Sequence, residues 1–210
     1  MVTMPKVVPE YKEEAKSKIV EAARIVFAKK GYHDSTMDDI AKEVGVSKGA
    51  LYSYFKSKED ILKETYLRTH QTLRTIIKTA SEKPDLAQAF EEVYSMVTER
   101  YKGNLHRHFE QVALASRDPL IKKIIMDDYR RDVETVQAFV EEKMKQGLMR
   151  NDVDAQTIAE LFTALFMGTM EKLVLGFPNK EVHDRWIKSM TLILGKKQQK
   201  QTKSTFSILS

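Results

Sequence analysis

The chain has 210 residues and a mass of 24.2 kDa, with 42% hydrophobic and 31% charged residues. That composition excludes a disordered or fibrous protein and gives enough chain to bury well over half of its unfolded surface. Cysteine is absent, which excludes disulfides, thiolate metal sites and a cysteine nucleophile, and the net charge of +5 is uneven: +3 over residues 1–58, −2 over 59–195, and four lysines with no acid in 196–210.

Met1 to Lys12 carries prolines and lysines with no apolar run, so a flexible arm is expected there and not a secretory signal. A first helix is expected from Glu13 to Lys30, where Ile19, Ala22, Ala23, Val26 and Phe27 form one apolar stripe. Gly31 ends it behind two lysines. Thr36 to Asp39 reads as a capping box that opens a second helix burying Ile40, Ala41 and Val44. Gly45 stops it, and Ser47 caps a very short third helix from Lys48 to Phe55 with Leu51 and Phe55 facing inward. Ser57 caps a long fourth helix reaching about Ala80. A fifth follows Pro84 and Asp85, carrying Phe90, Val93, Tyr94, Val97 and Tyr101. Leu105 to Ala115 reads as a broken stretch.

Asp118-Pro119 is a cap with proline at the first helical position, opening a long segment to Gln146. Asp154 caps an eighth helix running to Leu175, and Glu181 to Leu194 is the ninth. The longest charge-free apolar run, Leu161 to Met170, is about half of the ~20 residues that a membrane-spanning helix needs, so a cytoplasmic protein is expected. Residues 196–210 read as a flexible basic tail. No segment alternates with period 2, and the expected fold class is all-α with nine helices.

Residues 36–55 form a helix-turn-helix that cannot bury its apolar faces alone, which accounts for the helices before and after it. At 100° per residue, Leu51 and Phe55 face the core while Gly49 and Ser53 face away, flanked by Tyr52 and Ala50, with Lys48 at the edge. Such a small, uncharged and aromatic face suits the DNA major groove. Gly49 permits close backbone approach, and Tyr52 offers a ring for a thymine methyl and a hydroxyl for phosphate. The helix N-termini after Thr36, Ser47 and Ser57 offer free N–H groups to phosphates. From the pattern alone, ordinary helix packing accounts for the same unit equally well.

The run AARIVFAKKGYHDSTMDDIAKEVGVSKGALYSYFKSKEDIL resembles the N-terminal domain of the TetR family of transcriptional repressors. The resemblance spans Ile19 to Leu62, about a fifth of the chain, through Gly31-Tyr32, Thr36, Ile40-Ala41, Gly45-Val46-Ser47, Leu51-Tyr52, Tyr54-Phe55 and Lys58-Glu59. It implies a DNA-binding domain over residues 13–58, with contacts from Thr36, Ser47, Lys48, Gly49, Ala50, Tyr52, Ser53, Tyr54 and Lys58. Of these, Thr36, Tyr54 and Lys58 would meet phosphates. It implies a homodimer reading double-stranded DNA as a palindromic operator, since one three-helix head makes too few contacts for high specificity.

Residues 59–195 are then the effector-binding and dimerisation domain. The eighth helix is apolar nearly all round, and a 210-residue monomer offers few partners for the last two helices. A dimer interface is therefore expected at Leu161, Leu165, Met170, Trp186 and Met190. Helices four to seven are rich in aromatics and methionine, which plain core packing also explains. As an apolar effector cavity, the lining includes Tyr66, Tyr94, Phe109, Tyr129 and Phe166. A lipophilic small-molecule effector follows, with a fatty acyl-CoA as one candidate whose phosphates Arg100, Arg107, Arg130 and Arg131 would meet; solvated helix faces explain the same cations.

No enzyme is expected. His106 and His108 project about 200° apart on a helix and cannot share a metal, and there is no phosphate loop or nucleophile elbow. No metal or cofactor is implied. The alternative from another class is a helical protein-interaction module without sequence-specific DNA binding.

Overall fold

The computed structural model describes residues 9–83, 85–101 and 105–195. Among these there are nine helices and no strand: α1 (Pro9–Lys30), α2 (Met37–Val44), α3 (Lys48–Tyr54), α4 (Lys58–Ser81), α5 (Leu86–Tyr101), α6 (Leu105–Ala115), α7 (Pro119–Lys145), α8 (Ala155–Val174) and α9 (Asn179–Leu194). The chain divides into two compact units, residues 1–75 with 103–132 and residues 76–102 with 133–210, and the division falls inside α4 and α7.

Several boundaries differ from expectation. α1 begins four residues earlier, at Pro9, because proline suits a first helical position whose N–H has no partner anyway. Leu105–Ala115 is an unbroken helix, turning Gln111, Leu114 and Ala115 inward at i, i+3 and i+4. α9 starts at Asn179 after Pro178. The arm before residue 9, the tail after residue 195 and the side chains of Arg100, His106, Arg107 and His108 lie outside the described residues.

The first unit is organised by one apolar cluster that joins α1 (Ile19, Ala23, Phe27), α2 (Ile40), Leu51 of α3 and Ile61 of α4 to Ile121 of α7. α2 is fixed at both ends. Its N-cap Thr36 accepts from the Asp39 N–H at 3.1 Å while Asp39 accepts from the Thr36 N–H at 3.0 Å. At its C-terminus Gly45 takes φ +79°, letting its own N–H reach the Lys42 carbonyl and the Val46 N–H reach Ala41. A residue with a Cβ would be strained there. That turn sets the angle at which α3 leaves.

The second unit is built on Trp186, 1% exposed, whose indole N–H donates to the Phe90 carbonyl at 3.0 Å. Phe162 packs edge-on against it at 5.7 Å between ring centroids, and Phe166 at 6.2 Å. Val182, Trp186, Met190 and Leu194 recur every four residues and are the buried face of α9. No helix among the described residues is long and apolar enough to cross a membrane.

Candidate functional site

The outer face of α3 is open. Ser47, Lys48, Gly49, Ala50 and Ser53 are exposed, and Tyr52 is 44% exposed although it lies between two buried positions of the core, Leu51 and Phe55. A Cβ built on Gly49 meets nothing within 4 Å, so the glycine answers no packing need inside the chain. Ser47 spends its Oγ as the N-cap, accepting from the Ala50 N–H at 3.2 Å, and Ser53 Oγ donates to the Ala50 carbonyl at 2.6 Å. Lys48 Nζ donates to Asp38 on α2 at 3.0 Å. Tyr54 is half-buried against the core cluster. Thr36 is exposed at the start of α2, its hydroxyl engaged with Asp39. The result is a rigid two-helix edge with a smooth, uncharged centre.

Asp39 anchors that edge. Its carboxyl is held down at about 2, first by the ammonium of Lys30 and then by the Thr36 hydroxyl and N–H. Lys30 is the last residue of α1, so the pair also ties α1 to the start of α2.

Lys58, which the resemblance implies at a phosphate, is engaged within the chain. Its ammonium donates to the carbonyls of Tyr32 (2.8 Å), His33 (2.8 Å) and Ser35 (2.9 Å), and lies 4.6 Å from the centroid of the Tyr32 ring. An ammonium has three protons, and all three are committed. Lys58 is a bracket between α4 and the turn before Thr36. Asp118, the N-cap of α7, reaches the same turn through His33 at 3.3 Å. Burial, with Glu59 and Asp118 nearby, pushes the Tyr32 phenol up to about 12.

Residues 19–65 match the family model described as bacterial regulatory proteins, tetR family. That segment is similar to the tetR-family domain, and the fold is the one seen in a TetR-family regulator of known structure. This family consists of regulators, not enzymes. YfiR, an uncharacterized HTH-type transcriptional regulator of Bacillus subtilis (strain 168), is 27% identical over 173 residues, 80% of this chain and 83% of that one. Among solved structures, Salmonella enterica GusR superposes with a TM-score of 0.77 at 22% identity, covering 90% of this chain and 98% of GusR. The transcriptional regulator FadR from Bacillus subtilis, in complex with stearoyl-CoA, superposes with a TM-score of 0.67 at 20% identity, covering 84% and 97%.

The residues expected to line an effector cavity divide between the units. Tyr66, Phe109 and Tyr129 belong to the first, Tyr94 and Phe166 to the second. Tyr66 is buried and donates to Gln111 Oε1 at 2.6 Å; burial raises its phenol well above the usual range. Tyr94 donates to Asn179 Oδ1 at 2.6 Å. Tyr129 is 46% exposed, so its ring faces water instead of an enclosed lining.

The dimer residues also separate. Met170, Trp186 and Met190 are sealed in the core of their own unit, because α5 supplies the third side that the sequence reading did not find for α8 and α9. Leu161 is 47% exposed and Leu165 half-buried. With Gly168 they form a stripe at i, i+4 and i+7 on the outside of α8, and Leu192 of α9 is 78% exposed.

Sequence reasoning missed a buried polar group in the first unit. His70 of α4 lies 2.7 Å from Asp132 of α7, and Asp128 is buried one turn before it. Burial pushes the Asp128 carboxyl up to about 6, assisted by Asp132 and opposed by Arg131 and His70. The signal was present: His70 falls on the apolar stripe Leu62–Tyr66 of α4, and Asp128 interrupts the stripe Ile121–Ile124 of α7.

Proposed function

We propose that this chain is a repressor that binds a palindromic operator as a homodimer, with α3 in the major groove, and that a lipophilic effector releases it. The observation that carries the reading is the outer face of α3: open, uncharged beyond Lys48 at its edge, and built around a glycine that packing does not require. Ala50, Tyr52 and Ser53 are the base-reading candidates, and Thr36, Ser47, Lys48 and Tyr54 the backbone contacts. Lys58 is assigned to positioning. The head comprises residues 13–58 and the effector-binding and dimerisation body residues 59–195, with the arm 1–12 and the tail 196–210 outside both. The dimer is assigned to the outer stripe of α8 (Leu161, Leu165, Gly168) with Leu192, since apolar side chains that water now meets are those a second copy would cover.

Stearoyl-CoA, the ligand in the FadR complex, is the first effector to titrate. Release requires that the effector bind the DNA-incompetent state more tightly. α4 is the natural carrier, since its first turn brackets the turn before Thr36 through Lys58. The test is binding of the full-length chain to a duplex selected from a random-sequence pool. Nanomolar affinity that falls steeply with salt, by a log–log slope of about 0.9 per phosphate contacted, and an inverted repeat in the selected pool support the reading. Selection that enriches no sequence favours the protein-interaction module instead.

A further inference from the structure

The first turn of α2 carries two adjacent carboxylates with different partners. Asp39 is consumed by the cap, accepting from the Thr36 N–H, the Thr36 hydroxyl and Lys30. Asp38 faces the other way: its Oδ1 and Oδ2 lie 2.9 and 3.0 Å from Lys48 Nζ. Lys48 opens α3 and is the only charged residue in that helix. Both side chains are mostly exposed, so the pair sits on the surface and bridges α2 to α3 across the Gly45 turn. Residues 36–55 hold three acids and two bases, a net charge of −1 on the motif that must approach a polyanion.

We propose that Asp38 is a specificity-determining positioning residue that tethers Lys48 and withholds it from indiscriminate phosphate contact. The proposal rests on reading α3 as the DNA-contacting helix. An untethered lysine is a point charge on a flexible four-carbon stem and finds a phosphate on a duplex of any sequence. Tethered to both oxygens of Asp38, the ammonium has a fixed position and one remaining proton to donate, which counts only where a duplex places an acceptor there. The acid therefore lowers binding to random DNA more than binding to the operator, which widens the ratio between them.

The experiment compares the full-length protein with the Asp38→Asn, Asp38→Glu, Lys48→Gln and Asp38→Asn/Lys48→Gln variants. The probes are a duplex selected from a random pool and a random-sequence duplex of equal length, titrated over a range of salt, with melting temperatures confirming that each variant folds. Asp38→Asn should bind the random duplex on the order of two- to fivefold more tightly, the equivalent of one exposed ion pair. Its salt slope should steepen by up to ~0.9 per head, and its gain on the selected duplex should be smaller. Asp38→Glu should stay near wild type, and the double variant should match Lys48→Gln. The tether is overturned if Asp38→Asn leaves the selectivity ratio unchanged, or acts equally in the Lys48→Gln background. If Lys48→Gln alone changes neither affinity nor slope, the placement of α3 at the DNA fails, and the tether with it.

Discussion

Replacing Lys58 by methionine separates a bracket from a phosphate ligand. Methionine keeps the apolar stem and removes the ammonium with its three bonds of 2.8, 2.8 and 2.9 Å and its contact with the Tyr32 ring. At a partly buried site each charge-assisted bond contributes on the order of 1 kcal/mol after solvent screening. The ring contact adds about 0.5 kcal/mol. The total is roughly 3 kcal/mol, which for a chain of this size lowers the melting temperature by about 6–12 °C. Thermal unfolding followed by circular dichroism reads the first quantity, and the salt dependence of DNA binding reads the second. The bracket predicts a large drop in melting temperature with an unchanged salt slope for the folded protein. An unchanged melting temperature with a slope reduced by ~0.9 per head would refute the argument and restore Lys58 to the phosphate backbone.

Asp128 predicts a pH dependence with a definite sign. Its folded value of about 6 lies above the ordinary aspartate value of 3.8, so its ionised form costs stability, and that cost shrinks as the pH falls through 6. Between pH 7 and pH 5 the gain from this group is on the order of 1 kcal/mol, and Asp128→Asn should lack it in urea unfolding at the two pH values; an identical gain in the variant would assign the effect elsewhere. Leu161→Glu with Leu192→Glu should leave the core intact, because both side chains are exposed, and should convert the proposed dimer to a particle of 24.2 kDa in light scattering. Persistence of the dimer would move the interface off this surface.

The parts of the fold legible in the sequence are those set by local chemistry. Thr36, Ser47, Asp118 and Asp154 each cap the helix they were expected to cap, because the bond from a cap side chain to a backbone N–H spans only two or three residues. The inward turn of Leu51 and Phe55 follows from helical periodicity, and with it the outward turn of Gly49 and Tyr52. Long-range partners were not legible. Trp186 finds its carbonyl 96 residues earlier in the chain, on α5, so an apolar face that looked available for a second copy is filled within one chain. The role of Lys58 depends on carbonyls 23 to 26 residues away that converge only once Tyr32 is buried. α6 was hidden because its sequence opens on His106-Arg107-His108 and its half-buried positions among the described residues include the polar Gln111 beside Phe109, Leu114 and Ala115.

Gly49→Leu tests the placement of α3 in the major groove most directly. The position is helical and a Cβ there meets nothing within 4 Å. The fold should therefore accept leucine and gain a few tenths to about 1 kcal/mol from the better helix former. The same side chain would stand between α3 and the base edges. The account predicts an equal or higher melting temperature together with a loss of affinity for the selected duplex of at least about a hundredfold, on the order of the cost of two mismatched base pairs. A variant that melts at the same temperature or higher and still binds that duplex as wild type does would contradict it.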